Sequence, residues 1–197
     1  MQTESSRQAE FPVDPLFLNR WSPRAFTGEP LPDAVLFTLF EAARWAPSSY
    51  NGQPWRFCYA KRGGARWGDF LACLHEVNRQ WAEQASALVF LAASQSIQAM
   101  GQTIPAPAPA LDCGAAWASL ALQASLLGWH AHAIGGFDRT AAARVVGMPK
   151  GYDMLLAVAI GRRGGKESLP EALQAREAPT PRRPLAELVA EGCFPRA

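Results

Sequence analysis

Apolar residues along this chain follow two rhythms, and each predicts a different element. Val35, Leu36, Leu39, Phe40 and Ala43 fall at i, i+1, i+4, i+5 and i+8, one face of a helix. Pro30-Leu-Pro-Asp33 opens that helix, since proline is tolerated in a first turn. Pro47 closes it, because the residue before a proline avoids helical geometry. Asp14–Asn19 predicts a short helix, and residues 66–83, carrying Phe70, Leu71, Leu74, Val77 and Trp81, one or two amphipathic helices. Trp55–Ala60 predicts a short strand turned by Gly63-Gly64. Ala87–Ala93 is apolar at every position and predicts a central strand; Met154–Ile160 predicts a second buried one. Residues 101–110, with Pro105, Pro107 and Pro109, predict an extended surface segment, a lid or a linker. Asp112 suits the N-cap of an apolar helix over 113–127 that stops near Gly128. Ala131–Phe137 reads as a strand, and Asp138 as the cap of a short helix over 139–146. Beyond Arg162 the chain turns polar, with prolines at 170, 179, 181, 184 and 195, and predicts a helix fragment plus an extended tail. Strands alternating irregularly with helices imply a mixed class, α+β or α/β.

Composition narrows this picture. The 197 residues are 49% apolar and 18% charged, which excludes intrinsic disorder. The length suits one domain over 13–197 behind a flexible N-terminal tail, 1–12, and such a domain buries about 70% of its unfolded surface. A net charge of +2 gives no argument for nucleic acid. Ala115–Ile134 is apolar-rich, but Ser119, Gln123, Ser125, Gly128, His130 and His132 interrupt it, so it predicts a core helix and no membrane span. The N-terminus lacks the basic start and apolar run of a signal peptide. Cys58, Cys73, Cys113 and Cys193 include no Cys-x-x-Cys pair, and read as buried thiols in a reducing, cytoplasmic setting. His75, His130 and His132 show no metal-ligand spacing, so no metal is expected. No Gly-x-Gly-x-x-Gly or Walker loop is present.

Of the 19 basic residues, 16 are arginine. Genomic base composition can produce that excess. Anion binding is the alternative, because guanidinium grips phosphate bidentately. Arg20-Trp-Ser-Pro-Arg24 makes the alternative concrete: in an extended loop positions 20, 22 and 24 point the same way, and a phosphate needs convergent charge-assisted donors. A solvated surface loop would carry the same residues. Ala46-Pro-Ser-Ser-Tyr-Asn-Gly-Gln-Pro-Trp55 sets hydroxyls and carboxamides between two prolines, which serves either a structural turn or a ligand-lining loop.

These two segments, in this order, resemble the FMN-dependent nitroreductase family. The resemblance extends to Asn78-Arg-Gln-Trp81 before Ala85–Leu91, to Leu127-Gly128, to Ile134-Gly-Gly-Phe-Asp138, to Tyr152–Gly161 and to Arg182-Arg-Pro-Leu185, so it runs from about residue 14 to about 189. It implies an α+β fold with a central, mostly antiparallel sheet flanked by helices. It also implies a homodimer with a C-terminal extension, part of whose apolar 113–127 helix lies between subunits. Arg20, Ser22 and Arg24 would hold the FMN phosphate and ribityl chain, with Arg182 reaching the same phosphate. Ser48, Ser49 and Asn51 would line the flavin, from the partner subunit's side of a shared site; Gln53 would end the motif structurally. Asn78 would face the ribityl or ring edge. Ile134, Gly135 and Gly136 would lie against the ring with backbone N–H groups near N5, where hydride arrives.

The implied activity is hydride transfer from NAD(P)H, a transient donor, to FMN and then to a nitroaromatic, quinone or similar small molecule, by a ping-pong mechanism. No side chain stands out as an acid or base. The chain departs from the family at two places: Ala133-Ile-Gly-Gly136 stands where many relatives have Pro-x-Glu-Gly, and Trp81 where many have Lys. The alternatives are therefore a specialised flavin-using or flavin-consuming member with poor nicotinamide turnover, and a non-catalytic flavin-binding protein. Trp55 and Trp81, beside proposed site residues, are expected to line a pocket; Trp45, Trp67, Trp117 and Trp129 to serve core or interface.

Overall fold

The computed structural model describes residues 7–195. Asp14 accepts the Leu16 N–H at 2.8 Å and starts helix α1 (Pro15–Asn19). The rest follows as α2 (Asp33–Arg44), β1 (Trp55–Lys61), α3 (Trp67–Ala72), α4 (Glu76–Ala82), β2 (Ala87–Ser94), β3 (Ser96–Ala99), β4 (Gln102–Pro105), α5 (Pro109–Leu126), β5 (His130–Ile134), α6 (Arg139–Val145), β6 (Tyr152–Gly161) and α7 (Glu171–Gln174). The main sheet has the order β1-β2-β6-β5, and every pair in it is antiparallel.

The unbroken apolar run of β2 has a simple cause: all eight residues are buried, and they alternate between two cores. Leu88, Phe90 and Ala92 face a core shared with Phe70, Trp81 and Phe137. Val89, Leu91 and Ala93 face another, shared with Leu36, Leu39, Leu120 and Trp129. Helices α3, α4 and α6 thus cover one face of the sheet, and α2 with α5 the other. The stripe predicted on α2 buries Leu36, Leu39 and Ala43. The fold is α+β, as expected.

Several expectations need correction. Residues 96–105 form a β3–β4 hairpin in place of an extended segment, with Met100 (φ 51°) and Gly101 (φ 74°) at its tip. Helix α5 starts at Pro109, three residues before the predicted cap, so Asp112 lies inside it and is buried. The strand predicted over 131–137 ends at Ile134. Cys193 is exposed and Cys58 half-buried; only Cys73 and Cys113 are the buried thiols expected. Trp55 and Trp81, expected at a pocket, are buried in the two cores. Trp129 is core, whereas Trp45 is exposed. Residues 1–6 of the expected flexible tail lie outside the described residues; Arg7 donates to the carbonyls of Leu18, Arg20 and Thr180, and Glu10 accepts the Leu185 N–H at 2.8 Å. No helix among the described residues is long and apolar enough to cross a membrane.

Candidate functional site

Burial alternates along the Arg20–Ala25 loop. Trp21, Pro23 and Ala25 are buried, while Arg20, Ser22 and Arg24 turn outward together. The loop is tied to the end of β6 by Thr27 N–H donating to Arg162 O (3.0 Å) and Gly164 N–H donating to Ala25 O (2.8 Å). It is tied to β5 by a 2.9 Å hydrogen bond between His132 Nδ1 and Pro23 O. The exposed side of the loop forms one wall of a cavity of about 430 Å³. Arg7, Ser22, His132 and the segment from Ala175 to Arg182 complete it.

Five guanidiniums belong to this region: Arg7, Arg20, Arg24, Arg176 and Arg182. Their crowding shows in their basicity. Burial, then Arg182, lowers the pKa of Arg20. Burial, then Arg182 and Arg20, lowers Arg7. Burial and Arg176 lower Arg24, and Glu177 partly opposes them. A dianion placed here would relieve that repulsion and accept hydrogen bonds from several donors. Of the four residues predicted for the phosphate, the structure brings together Arg20, Ser22, Arg24 and Arg182. It adds Arg7, Arg176, His132 and Glu177, which sequence reading missed. Arg7 sat in a presumed tail, and no local pattern ties Glu177 to Arg24, 153 residues away.

Gly135 lies three residues past His132, about 10 Å of strand. It is exposed, and a side chain on it would meet nothing within 4 Å. Gly136 is the opposite case. Its carbonyl accepts from Asn78 Nδ2 (2.9 Å) and His75 N–H (3.1 Å), and a Cβ there would come within 2.6 Å of Asn78 Nδ2. Asn78 therefore fixes the Gly135–Gly136 turn. Ile134 is buried, so only its backbone is available to a ligand. Trp81 packs against His132 of the cavity wall, ring centroids 4.7 Å apart and planes tilted by 37°.

Ser48, Ser49 and Asn51 are not part of this assembly. They precede β1, the far edge of the sheet from β5, at least three strand spacings or roughly 14 Å away. Their loop is strained and heavily braced. Tyr50, Asn51 and Gln53 all have positive φ (53°, 52° and 47°). Ser48 Oγ accepts the Gln53 N–H at 3.1 Å, Gln53 Nε2 donates to Asn51 O at 3.0 Å, and buried Asp112 accepts the Ser49 N–H at 3.2 Å. Asp112, misread as a cap, is the residue that pins this loop to α5.

The two histidines of β5 share a face of the strand, and no group of three or more His, Cys, Asp or Glu side chains placed to hold a metal ion occurs among the described residues. Burial, with Arg163 and Arg162 adding to it, pushes His130 from its usual 6.5 down to about 4. Burial, with Arg24 adding and the Pro23 carbonyl opposing, pushes His132 to about 4 as well. Between those values the unfolded chain binds protons that the folded chain does not, so stability falls as pH drops from about 6.5 toward 4. Replacing His130, whose buried Nδ1 has no hydrogen-bond partner, removes one of the two contributions. His130→Leu is expected to show a smaller loss of urea midpoint between pH 7.5 and pH 5 than the natural chain. An equal loss in both would show that His130 titrates normally when folded.

An antiparallel sheet covered on both faces, with a guanidinium-rich pocket at one edge, defines the class: an α+β protein with a site suited to a small anionic ligand. Comparison with known proteins narrows the class, and the chain belongs to the nitroreductase family, whose family model matches residues 18–162. A solved oxidoreductase containing FMN is 45% identical, with 98% of each chain covered and a TM-score of 0.93. A solved FMN complex from Desulfovibrio desulfuricans is 25% identical, covering 95% of this chain and 100% of that one, with a TM-score of 0.71. A chloronitrobenzene nitroreductase of Comamonas testosteroni is 39% identical over 54 residues, which are 27% of this chain and 23% of that protein's length.

Proposed function

We propose that the chain is an FMN-dependent oxidoreductase working as a homodimer, with hydride supplied by NAD(P)H. The observation that carries the reading is the pocket of Arg20, Ser22, Arg24 and Arg182, which β5 reaches through His132 and which that strand links to the open Gly135–Gly136 turn after Ile134. The donor set fits a phosphate monoester: crowded, partly desolvated guanidiniums and a hydroxyl, with basicity lowered first by burial and then by mutual repulsion. The stretch between pocket and turn suits a ligand with an anionic end and a flat ring end. FMN, when bound, supplies the ring atom that takes up and gives back hydride.

In this reading Arg20, Arg24 and Arg182 anchor the phosphate and Ser22 donates to it or to the ribityl chain. Asn78 holds the turn so that the backbone of Ile134, Gly135 and Gly136 faces the ring. A backbone donor there polarises the ring without adding a side chain to the space a substrate needs. Ser48, Ser49 and Asn51 sit too far away within one chain, so their contribution comes from a second subunit. Helix α5 supports that arrangement. Leu111, Ala118, Leu122 and Leu126 make an apolar stripe along one side of it, and Leu111 and Leu126 are 74% and 63% exposed. A reduced nicotinamide and then a nitroaromatic or quinone would occupy the open space before Gly135 in succession, a ping-pong order. The thiols, none of them paired, suit the cytoplasm.

The purified protein is expected to be yellow, to run as a dimer by light scattering, and to be bleached anaerobically by NADH or NADPH. A colourless protein that cannot be reconstituted with FMN would overturn the reading. One feature favours a second version of it: Trp81, buried against His132, stands where many family members carry lysine, so no ammonium is available there to stabilise a reduced, anionic ring. A yellow protein that neither nicotinamide bleaches would put the specialised member with another electron source first.

A further inference from the structure

The segment from Ala175 to Arg182 supplies Arg176, Thr180 and Arg182 to the pocket, yet it is largely exposed. Glu177 is the exception, with only 4% of its side chain accessible. Its Oε1 accepts two consecutive backbone N–H groups, Arg24 at 2.8 Å and Ala25 at 2.9 Å. Its Oε2 is buried with no hydrogen-bond partner and stands 3.9 Å from Arg24 Nη1. That gap is beyond hydrogen-bond reach but well inside Coulomb reach.

The arrangement is unusual for a purely structural ion pair. A buried carboxylate normally gathers donors on both oxygens, and a guanidinium beside it normally offers two parallel N–H bonds. Here the carboxylate spends one oxygen on the backbone and leaves the Arg24 guanidinium uncommitted. No hydrogen bond among the described residues takes up that guanidinium, and those of Arg20 and Arg176 are likewise uncommitted. Among the described residues the N-terminal stretch also ties this part of the chain down, with Arg7 donating to Thr180 O and, just beyond the segment, Glu10 accepting the Leu185 N–H.

We propose that Glu177 is a positioning residue: it clamps the C-terminal segment onto the Arg20–Ala25 loop, so that Arg24, Arg176 and Arg182 surround one anion, with the Arg24 and Arg176 guanidinium donors left free for it and Arg182 held by its own segment through Nη1. The inference rests on the phosphate-binding reading above and deepens it. It assigns the completeness of the phosphate site to a carboxylate that never touches the phosphate. It also explains a negative charge buried inside a cationic pocket, because the two backbone N–H groups hold that charge away from the guanidinium donors.

Three variants separate the clamp from general damage. Glu177→Gln keeps an acceptor for both N–H groups. Glu177→Asp keeps the charge but retracts it by one methylene, and Glu177→Ala removes both. Two readouts are taken: binding of FMN and of riboflavin, which lacks the phosphate, by flavin fluorescence; and, without flavin, the rate of tryptic cleavage after Arg176 and Arg182 by mass spectrometry. Ala and Asp are expected to weaken FMN binding about tenfold or more while leaving riboflavin within about threefold, as loss of charge-assisted contacts predicts. Both should speed cleavage, and Gln should stay close to the natural chain in both readouts. The proposal is overturned if Ala and Asp match the natural chain, if FMN and riboflavin weaken equally, or if Gln fails as Ala does. If the natural chain binds no FMN but Ala and Asp still speed cleavage, the clamp stands and the flavin reading falls. If FMN binds and needs Arg20 and Arg24 but not Glu177, the reverse holds.

Discussion

The Arg20→Ala, Arg24→Ala double variant is expected to bind FMN at least 100-fold more weakly than the natural chain. Each guanidinium offers charge-assisted hydrogen bonds, worth about 1.5–3 kcal/mol apiece in net terms. Two losses give about 3–6 kcal/mol, or roughly 10²- to 10⁴-fold in dissociation constant. In the ligand-free protein the two substitutions pull in opposite directions. Arg20 is partly desolvated and further depressed by Arg182, so removing it relieves repulsion. Arg24→Ala relieves repulsion with Arg176 but withdraws the counter-charge 3.9 Å from the buried Glu177 carboxylate, which costs stability. Without flavin, Arg20→Ala alone is therefore expected to keep or raise the melting temperature and the double variant to lower it, while the stabilisation that FMN gives is lost. Riboflavin separates the causes, since a ligand without phosphate should lose little. Isothermal titration with both ligands checks the pair, and a double variant that keeps natural FMN affinity would show that the anchor lies elsewhere.

The parts of this site that were legible in the sequence are the local ones. Arg20, Ser22 and Arg24 could be read as one surface because extended backbone alternates its side chains, and Trp21 and Pro23 are the residues that bury. The strands β2 and β6 could be read because a segment packed on both faces must be apolar at nearly every position. What escaped were features set by distant partners. Arg7 joins the pocket through a contact to Thr180, 173 residues away, and Glu177 braces its wall through Arg24 across 153 residues, contacts that no periodicity encodes. Asp112 follows a helix start so plausibly that it reads as a cap, yet its carboxylate is buried against the Ser49 amide. The β3–β4 hairpin was hidden for a different reason. Its turn is Met100-Gly101, and Met100 adopts the left-handed conformation that methionine rarely takes, while Pro105 discouraged a strand reading. The Ser48–Gln53 loop was legible as a loop but not in its strain. Three non-glycine residues at positive φ cost of order 1 kcal/mol or more each, and such strain persists only where hydrogen bonds like those to Ser48 Oγ and Asp112 hold it. That makes the loop a rigid projection, as a contribution to a neighbouring subunit's site requires.

Rigidity at the other end of the site depends on the core, and Phe90→Ala is expected to produce the largest loss of stability. Phe90 lies at the middle of the central strand β2, 1% exposed. Its ring stacks on Phe70 of α3 at 4.4 Å with planes 8° apart, and on Phe137 at 5.8 Å with planes 12° apart. Truncation removes the transfer energy of a ring, leaves a cavity between two others, and costs about 3–5 kcal/mol. At this chain length that corresponds to a fall in melting temperature of roughly 6–20 °C. The effect on binding should differ from that of the arginine variant. Phe137 directly follows the Gly135–Gly136 turn, so loss of its stacking partner loosens the backbone that would face the ring end of the ligand. Riboflavin and FMN affinities are thus expected to drop together, whereas the arginine variant spares riboflavin. Phe90→Leu, which keeps most of the volume, should recover much of the stability. Thermal melts of the three proteins, with both flavins titrated below the transition, check this. A melting shift under about 3 °C for Phe90→Ala would mean that the stacked rings collapse into the gap, and that the turn is held by Asn78 and not by the aromatic core beneath it.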